Sequence, residues 1–489
     1  MSIKAKAVRG AFWSAIQGWG SQVGSLAVFF VLAHLLTPDD FGLVALANVC
    51  LAFMQIFLQQ GFAQALIQRQ ELEQEHLDTA FWTNLAIGII LMVACVTGAD
   101  WVASEFKQPR LAPILRAFSL LFLIVSFSSV QQAILERKFA FKATAVRSLL
   151  GTFIGGVVGI ALAVRGFGVW SLVGQQLVGE FVGVLVLWGA SDWRPRLKIS
   201  SKHFHHLFGF GINILAFNFL GFINNRSDDL LIGYFLGTTA LGYYAIAYRI
   251  LTVMTQLLVN TSSQIALPTF SRLQEDPERF RNAFYTITQV TSLIAFPIFL
   301  GIVVVAPELI GTAFGEKWLP SVPVLQVLAF VGILRAVTYF KGSVFLALGK
   351  PAWRLWLGLL SATLNLVGFF IAVRWGIVAV SCAYLIRACI IFPIGQWAIS
   401  RLINIPLIGY LRQFIAPLLS ALAMAIAIFA TKQILGNFLN PLILILLITC
   451  TVIGAIVYGL AIRFLAPQLW QKLRQIVDSA LMPSKRQNS

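Results

Sequence analysis

Fourteen stretches of this chain are apolar and long enough to cross a lipid bilayer, and no other feature limits its fold as strongly. They fall at 11–36, 41–67, 78–101, 112–135, 143–164, 167–189, 204–236, 240–267, 281–306, 321–348, 353–373, 376–399, 407–431 and 441–462 of the 489 residues. At about 1.5 Å per residue each supplies roughly 30 Å or more of helix, the thickness of the hydrocarbon core. The composition agrees, with 58% hydrophobic and 11% charged residues, where a soluble domain carries about 25% charge. Forty phenylalanines and few alternating strand-length segments argue against a transmembrane barrel. The expected fold class is an all-α polytopic membrane protein of fourteen transmembrane helices.

The basic residues give the orientation. With the N-terminus inside, 24 of the 36 Lys and Arg lie on the cytoplasmic side, six lie outside, and six remain within spans. That asymmetry puts both termini in the cytoplasm. A net charge of +17 would point to nucleic acid in a soluble protein. Here it anchors cytoplasmic loops, and no nucleic-acid partner is expected. The opening "MSIKAKAVRGAFW" is basic and then apolar, but the apolar run continues to Leu36 without an A-x-A site, so it reads as a retained first helix. The five cysteines all lie in apolar segments without metal-ligand spacing and read as buried thiols. No cofactor is implied.

The chain also repeats itself. "LLTPDDFGLVALA" (35–47) lies over "FLGTTALGYYAIA" (235–247) at an offset of 200. "AFWT" (80–83) lies over "AFYT" (283–286) at 203, and "AVRGFGVWSL" (163–172) over "AVRWGIVAV" (372–380) at about 209 with one gap. Three matches in order imply a duplication of about 200 residues. Six spans per unit is an even number, so the repeat is parallel, about an axis along the membrane normal. The expected lobes are 1–200 and 201–400, with 401–489 adding two spans and a tail. The tail's apolar residues at 469, 470, 473, 476, 477, 480 and 481 form one face of an expected surface helix.

The repeat places "NNRSDD" (224–229) over "GSLAVF" (24–29), in the middle of the first span. The hexad therefore lies inside the bilayer, where Arg or Asp costs about 2.5–3.5 kcal/mol each. Such residues persist if they pair, line a watery cavity or bind something. Arg226 and Asp229 are three apart, on one helix face. Arg249 lies at a depth similar to Asp228 in the next span and can neutralise Asp228 or Asp229. Arg335 and Lys341 share span ten but are related by about 240° of rotation at 100° per residue, so they do not share one face. Arg387 sits in span twelve and Glu180 in span six, at nearby repeat positions. Arg116 and Arg147 lie near span ends and are expected to snorkel. Arg226, Arg249, Arg335, Lys341 and Arg387 outnumber Asp228, Asp229 and Glu180 by two, which favours anions in the interior. The competing reading is a purely structural network of ion pairs.

Amides add a second chemistry. Span two carries Gln55, Gln59, Gln60, Gln64 and Gln68, and span eight Gln256, Asn260 and Gln264; Gln64 and Gln264 match under the repeat. With Asn225 they can bind sugar hydroxyls, or they can join packed helices. No Walker A sequence, nucleophile triad or large polar loop is present.

The set "LLTPDDFGLVALA", "LDTAFWTN", "RKFAFKATAVRS", "GFGVWSLV", "NNRSDDLLIGYFLGTTALGYYAIAYR" and "FGEKWLPSVPVLQVL" resembles the polysaccharide transporter family, the Wzx-type oligosaccharide flippases, within the superfamily of multidrug extruders and lipid II flippases. The resemblance implies a V-shaped alternating-access fold and export of an undecaprenyl-pyrophosphate-linked oligosaccharide across the bacterial inner membrane for surface polysaccharide biosynthesis. It transfers no residue role. On this reading Arg226, Arg249, Arg335, Lys341, Arg387, Asn225 and Gln64 are candidate substrate residues. Asp228, Asp229 and Glu180 are candidates for coupling to H+ or Na+. Partners would be the lipid-linked oligosaccharide, membrane lipids, and glycan polymerase or glycosyltransferase proteins. The alternatives are a multidrug or cation antiporter, which needs a carboxylate-rich cavity, a lipid II flippase, and a membrane glycan polymerase or ligase.

Overall fold

The computed structural model describes residues 3–58, 66–67, 73–198, 201–439, 443–467 and 471. Gln59, Gln60, Gln64, Gln68 and, save for Gln471, the expected tail helix lie outside them. All regular structure among the described residues is helical: sixteen α-helices and two 3-10 turns. In chain order the helices are α1 Ile3–Leu35, α2 Pro38–Leu58, α3 Gln74–Glu105, α4 Leu111–Phe118, α5 Leu120–Arg137, α6 Phe141–Val164, α7 Trp170–Ala190 and α8 Ser201–Phe235. They continue as α9 Gly237–Arg272, α10 Pro277–Phe314, α11 Val322–Thr338, α12 Lys341–Ala347, α13 Pro351–Ala372, α14 Ile377–Ile403, α15 Leu407–Leu439 and α16 Ile443–Leu465.

Twelve helical segments among the described residues are long and apolar enough to span a membrane, α4–α5 and α11–α12 each counting as one. The other two expected spans correspond to α8 and α9, which are 35 and 36 residues long. Both are long enough to cross, but α8 carries Arg226, Asp228 and Asp229 within four positions. Twelve of the fourteen expected spans thus meet the criterion of length and composition among the described residues. Only Leu236 separates α8 from α9, and Gly237 (φ +84°) takes the left-handed backbone that so tight a reversal demands.

The chain divides into two compact units, Met1–Ala245 with Ala362–Val380, and Ile246–Ser361 with Ser381–Ser489. In the first, α6 presents Gly151, Gly155 and Gly159, spaced one turn apart, to α7. A Cβ on Gly155 would lie 2.6 Å from the Gln175 carbonyl oxygen and 3.0 Å from the Gly179 Cα, so only glycine admits this approach. Lipid gives two helices little hydrophobic reason to associate, and such contact lets dispersion do it instead. Polar links add to it: Gln17 Nε2 donates to Ser148 Oγ (3.0 Å) and Asn84 Nδ2 to Ser129 Oγ (2.9 Å).

The repeat is visible in this unit as a reciprocal contact. A Cβ on Gly42 would overlap the Thr238 carbonyl, and one on Gly242 would overlap the Pro38 carbonyl. Positions 42 and 242, and 38 and 238, are equivalent at the offset of 200 read from the sequence. The first turns of α2 and α9 thus pack as a self-complementary pair, as two copies about a two-fold axis would. Thr238 Oγ1 donates to Asp39, and Arg110 bridges Asp39 (2.8 Å) and Asp40 (3.2 Å). The pattern "TPDDFG" is explained by this junction.

The second unit is organised on α10, which contains Pro297 and Pro307. Each proline lacks the N–H that would bond the carbonyl four residues earlier. In both cases a neighbouring helix supplies the missing donor. Tyr458 OH of α16 donates to the Leu293 carbonyl (2.6 Å) and Gln326 Nε2 of α11 to the Val303 carbonyl (2.9 Å). A membrane helix tolerates proline where such partners exist. Replacing Tyr458 with Phe is therefore expected to cost about 1–3 kcal/mol, the penalty of an unsatisfied buried acceptor. The Pro297→Ala/Tyr458→Phe double variant regains most of that, because residue 297 then has its own N–H. Thermal unfolding in detergent across the four-member cycle checks the coupling.

Candidate functional site

Each unit holds a cluster of polar side chains within its helices, and the two differ in sign. The acidic one lies in the first unit. Asp228 and Asp229 on α8 are 3% and 6% exposed. Asp229 accepts from Arg226 Nη1 at 3.2 Å, the i,i+3 pair that the spacing predicts. Asp228 accepts instead from Tyr244 OH of α9 at 2.7 Å. One turn back, the Asn224 carbonyl accepts from Nδ2 of Asn365 on α13 (3.2 Å), a residue only 1% exposed. Residues 224 and 228 share a helix face, so Asp228, Tyr244 and Asn365 bracket one polar patch. Asn225 is exposed and turns its amide back to the Gly221 carbonyl at 2.8 Å.

The basic cluster belongs to the second unit. Arg335 on α11 donates from Nη2 to the hydroxyls of Tyr248 (3.3 Å) on α9 and Tyr384 on α14. The two rings are stacked, 6.3 Å apart and inclined by 18°. The Arg335 guanidinium carbon lies 5.7 and 5.2 Å from their centroids. Arg387, one turn along α14, sits over the Tyr384 ring at 4.4 Å and donates from Nη1 to Ser361 Oγ of α13 (2.8 Å). Two guanidinium groups thus share one phenol ring, and their contacts are hydroxyls and rings rather than carboxylates. Rings and hydroxyls hold a guanidinium in place without cancelling its charge. A planar fork with tyrosine hydroxyls beside it matches the oxygens of a phosphate. Arg249 follows Tyr248 on α9 and is half-buried.

The repeat clarifies how this cluster arose. Tyr248 occupies the position of Asn48 at the offset of 200, and Tyr384 that of Gln176 at about 208. In the first unit Gln176 Nε2 donates to Asn48 Oδ1 (3.4 Å). The same two helix positions touch in both halves, through amides in one and through stacked tyrosines around an arginine in the other.

The remaining candidates lie apart from these clusters. Lys341 is buried at the first turn of α12, where Nζ donates to the Phe392 carbonyl (3.1 Å) and lies 5.0 Å from the Phe392 ring. The helix breaks at Tyr339–Phe340, between Arg335 and Lys341, and the two side chains reach different parts of α14. Glu180 pairs with Arg147 at 3.3 Å. Arg147 thereby departs from the expectation that it snorkels: it turns inward to Glu180 and to the Gln132 side chain, because both partners lie within its reach on α7 and α5. Arg116 pairs with the exposed Asp100 (2.5 Å). Gln64 lies outside the described residues. Sequence reasoning passed over Tyr244, Tyr248, Ser361, Asn365 and Tyr384. The signal available for the two ring partners of Arg335 was their equivalence to the polar Asn48 and Gln176.

Sixteen helices among the described residues, most of membrane length, with charged and tyrosine-lined clusters buried within them, define a multi-pass membrane transport protein. Residues 31–323 match the family described as polysaccharide biosynthesis protein, and the chain belongs to that family. It is 28% identical to the teichuronic acid biosynthesis protein TuaB of Bacillus subtilis (strain 168), over 89% of this chain and 91% of that protein. It is 29% identical to the succinoglycan biosynthesis transport protein ExoT of Rhizobium meliloti (strain 1021), over 98% and 97%. Among solved structures, the lipid II flippase MurJ in its inward closed conformation superposes with a TM-score of 0.77 at 15% identity, covering 94% of this chain and 99% of that one. At that identity the likeness speaks to the fold alone.

Proposed function

We propose that the chain is a flippase that carries polyprenyl-pyrophosphate-linked oligosaccharide units across the bacterial inner membrane for surface polysaccharide biosynthesis. The observation that carries this reading is the Arg335–Arg387 cluster, two cations held by tyrosine rings and hydroxyls, with no carboxylate in contact among the described residues. A pyrophosphate crossing about 30 Å of hydrocarbon would lose its hydration at prohibitive cost. Fixed guanidinium groups replace that hydration, while the polyprenyl tail stays in lipid. Arg226, Arg249 and Lys341 add positive charge, and Asn225 and Gln64 are assigned to the sugar. Two six-helix lobes, 1–200 and 201–400, rock in alternating access, with fourteen spans in all and both termini in the cytoplasm. The chain acts as a carrier rather than an enzyme, beside the glycan polymerase and glycosyltransferases that use and make its cargo. A cation extruder of the same fold would need an acidic site where this cluster is basic.

Proteoliposomes holding the purified chain and a labelled polyprenyl-pyrophosphate oligosaccharide test the proposal. Label should become accessible on the opposite face at a rate proportional to protein, with its covalent structure unchanged. A changed covalent product would make the chain a polymerase or ligase, and no movement of label would end the reading. Asp228, with Tyr244 and Asn365 around it, is assigned to ion coupling, Asp229 less so because Arg226 neutralises it, and Glu180 least. Asp228→Asn should make flipping indifferent to imposed H+ or Na+ gradients. A variant as gradient-dependent as the parent would remove Asp228 from that role.

A further inference from the structure

The cations set against α14 extend well beyond the Arg335–Arg387 cluster. Arg387 and Arg401 are fourteen residues apart on this helix. That spacing is close to four turns, so the two lie within about 40° on one face and roughly 21 Å apart along the axis. Arg401 is exposed at the helix end, its guanidinium carbon 5.6 Å from the Trp397 ring. The Trp397 ring meets that of Trp353, in the first turn of α13, edge-on at 5.8 Å. Arg354 follows Trp353, and its Nε would be 3.9 Å from a Cβ on Gly342. Between the two levels stands Lys341, bonded to the Phe392 carbonyl. A Cβ on Gly395 would lie 2.8 Å from its Nζ, so the missing side chain of Gly395 is what seats the ammonium there.

An interfacial anchor explains Arg401 and Trp397 by themselves, since Arg and Trp both favour the membrane surface. It does not explain Lys341, which is 7% exposed and held by a carbonyl and a ring one to three turns deeper along α14. The three levels, at residues 397–401, 392–395 and 384–387 of one helix, are separated by roughly 10 Å each at the helical rise. That is about one Debye length in physiological salt, and less screening applies away from water. Their potentials overlap into a continuous positive track from the helix end to the shared tyrosine. The distribution of basic residues assigns that end to the cytoplasm.

Resting on the function proposed above, we infer that Arg401, Trp397 and Trp353 form an entry station for the pyrophosphate of the lipid-linked substrate. Lys341 is then the intermediate step that passes the headgroup to Arg387 and Arg335. The indoles flank the polyprenyl–phosphate junction at the depth where apolar chain gives way to charge. The probe is a photoactivatable short-chain polyprenyl pyrophosphate added to the full chain in phosphatidylcholine vesicles. Label should map to segments 350–357 and 392–403, and about tenfold excess phosphatidylglycerol should leave it in place, since a single phosphate offers fewer acceptor oxygens to the fork. The Arg401→Gln/Trp397→Leu variant should lose this labelling and raise the half-saturating substrate concentration for flipping about tenfold, with the maximal rate nearly unchanged. Arg401→Lys, which keeps charge but not the flat stacking group, should fall between the two. Displacement of label by phosphatidylglycerol would make the station an ordinary phospholipid anchor and overturn the inference. Unchanged labelling and half-saturation in the double variant would overturn it equally. Arg335→Gln/Arg387→Gln separates this from the function itself: indifference of flipping to that pair would sink the carrier reading, whereas failure of the Arg401 arm alone removes only the entry station.

Discussion

Arg335→Gln is expected to lower glycan export about 10- to 150-fold at matched protein level, the equivalent of one or two charge-assisted hydrogen bonds at about 1.5–3 kcal/mol. The guanidinium joins Tyr248 and Tyr384 by hydrogen bonds while facing both rings. Glutamine can bond one hydroxyl but carries no charge to the cargo. Arg335→Lys should recover only part of the loss, since an ammonium cannot fork between two phenols. Tyr384→Phe separates the contributions, because it keeps the ring under Arg335 and Arg387 and removes the hydroxyl alone. It should cost about tenfold or less. Export by Arg335→Gln equal to the parent, with the variant folded by thermal unfolding, would mean that the cluster serves only packing.

A large structural effect is expected at Gly155. Gly155→Leu pushes a side chain into the α7 backbone at Gln175 and Gly179, where no rotamer change can relieve the overlap. Helices α6 and α7 must separate, with loss of the contacts along Gly151 and Gly159 as well. Costs above about 4–5 kcal/mol, exceptional for one substitution, are of the order of a whole domain's stability. The variant should fail to accumulate in the membrane. Gly98→Ala is the matched control, since nothing lies within 4 Å of a Cβ there, and it should be neutral or stabilising by up to about 1 kcal/mol through helix propensity. Membrane levels of the two variants, measured side by side, check the contrast.

Particular residues show what a reading of the chain alone can reach. The Arg226–Asp229 pair was legible because three residues along a helix is itself a spatial relation. The helical setting of "NNRSDD" was legible because the duplication supplied a reference without charges. Arg147 was misread as a snorkelling residue because its partners, Gln132 and Glu180, lie 15 and 33 residues away on other helices. Pro297 and Pro307 were silent in sequence for the same reason: Tyr458 and Gln326 answer them from α16 and α11. Arg335 and Arg387 stood out as costly charges, but the tyrosines that make them tenable did not.

The sequence by itself determined that this chain lives in a membrane as a bundle of helices, that it contains two related halves, and where along each helix its charges fall. Those properties add up locally, through hydropathy, length and register, and need no knowledge of neighbours. Only the tertiary structure decided which group each charge meets, that cations lie against α14 at three levels, and that Gly42 and Gly242 close on each other's partners. Such relations depend on the azimuth of one helix against the next, and apolar spans of similar length leave that angle open until the helices pack.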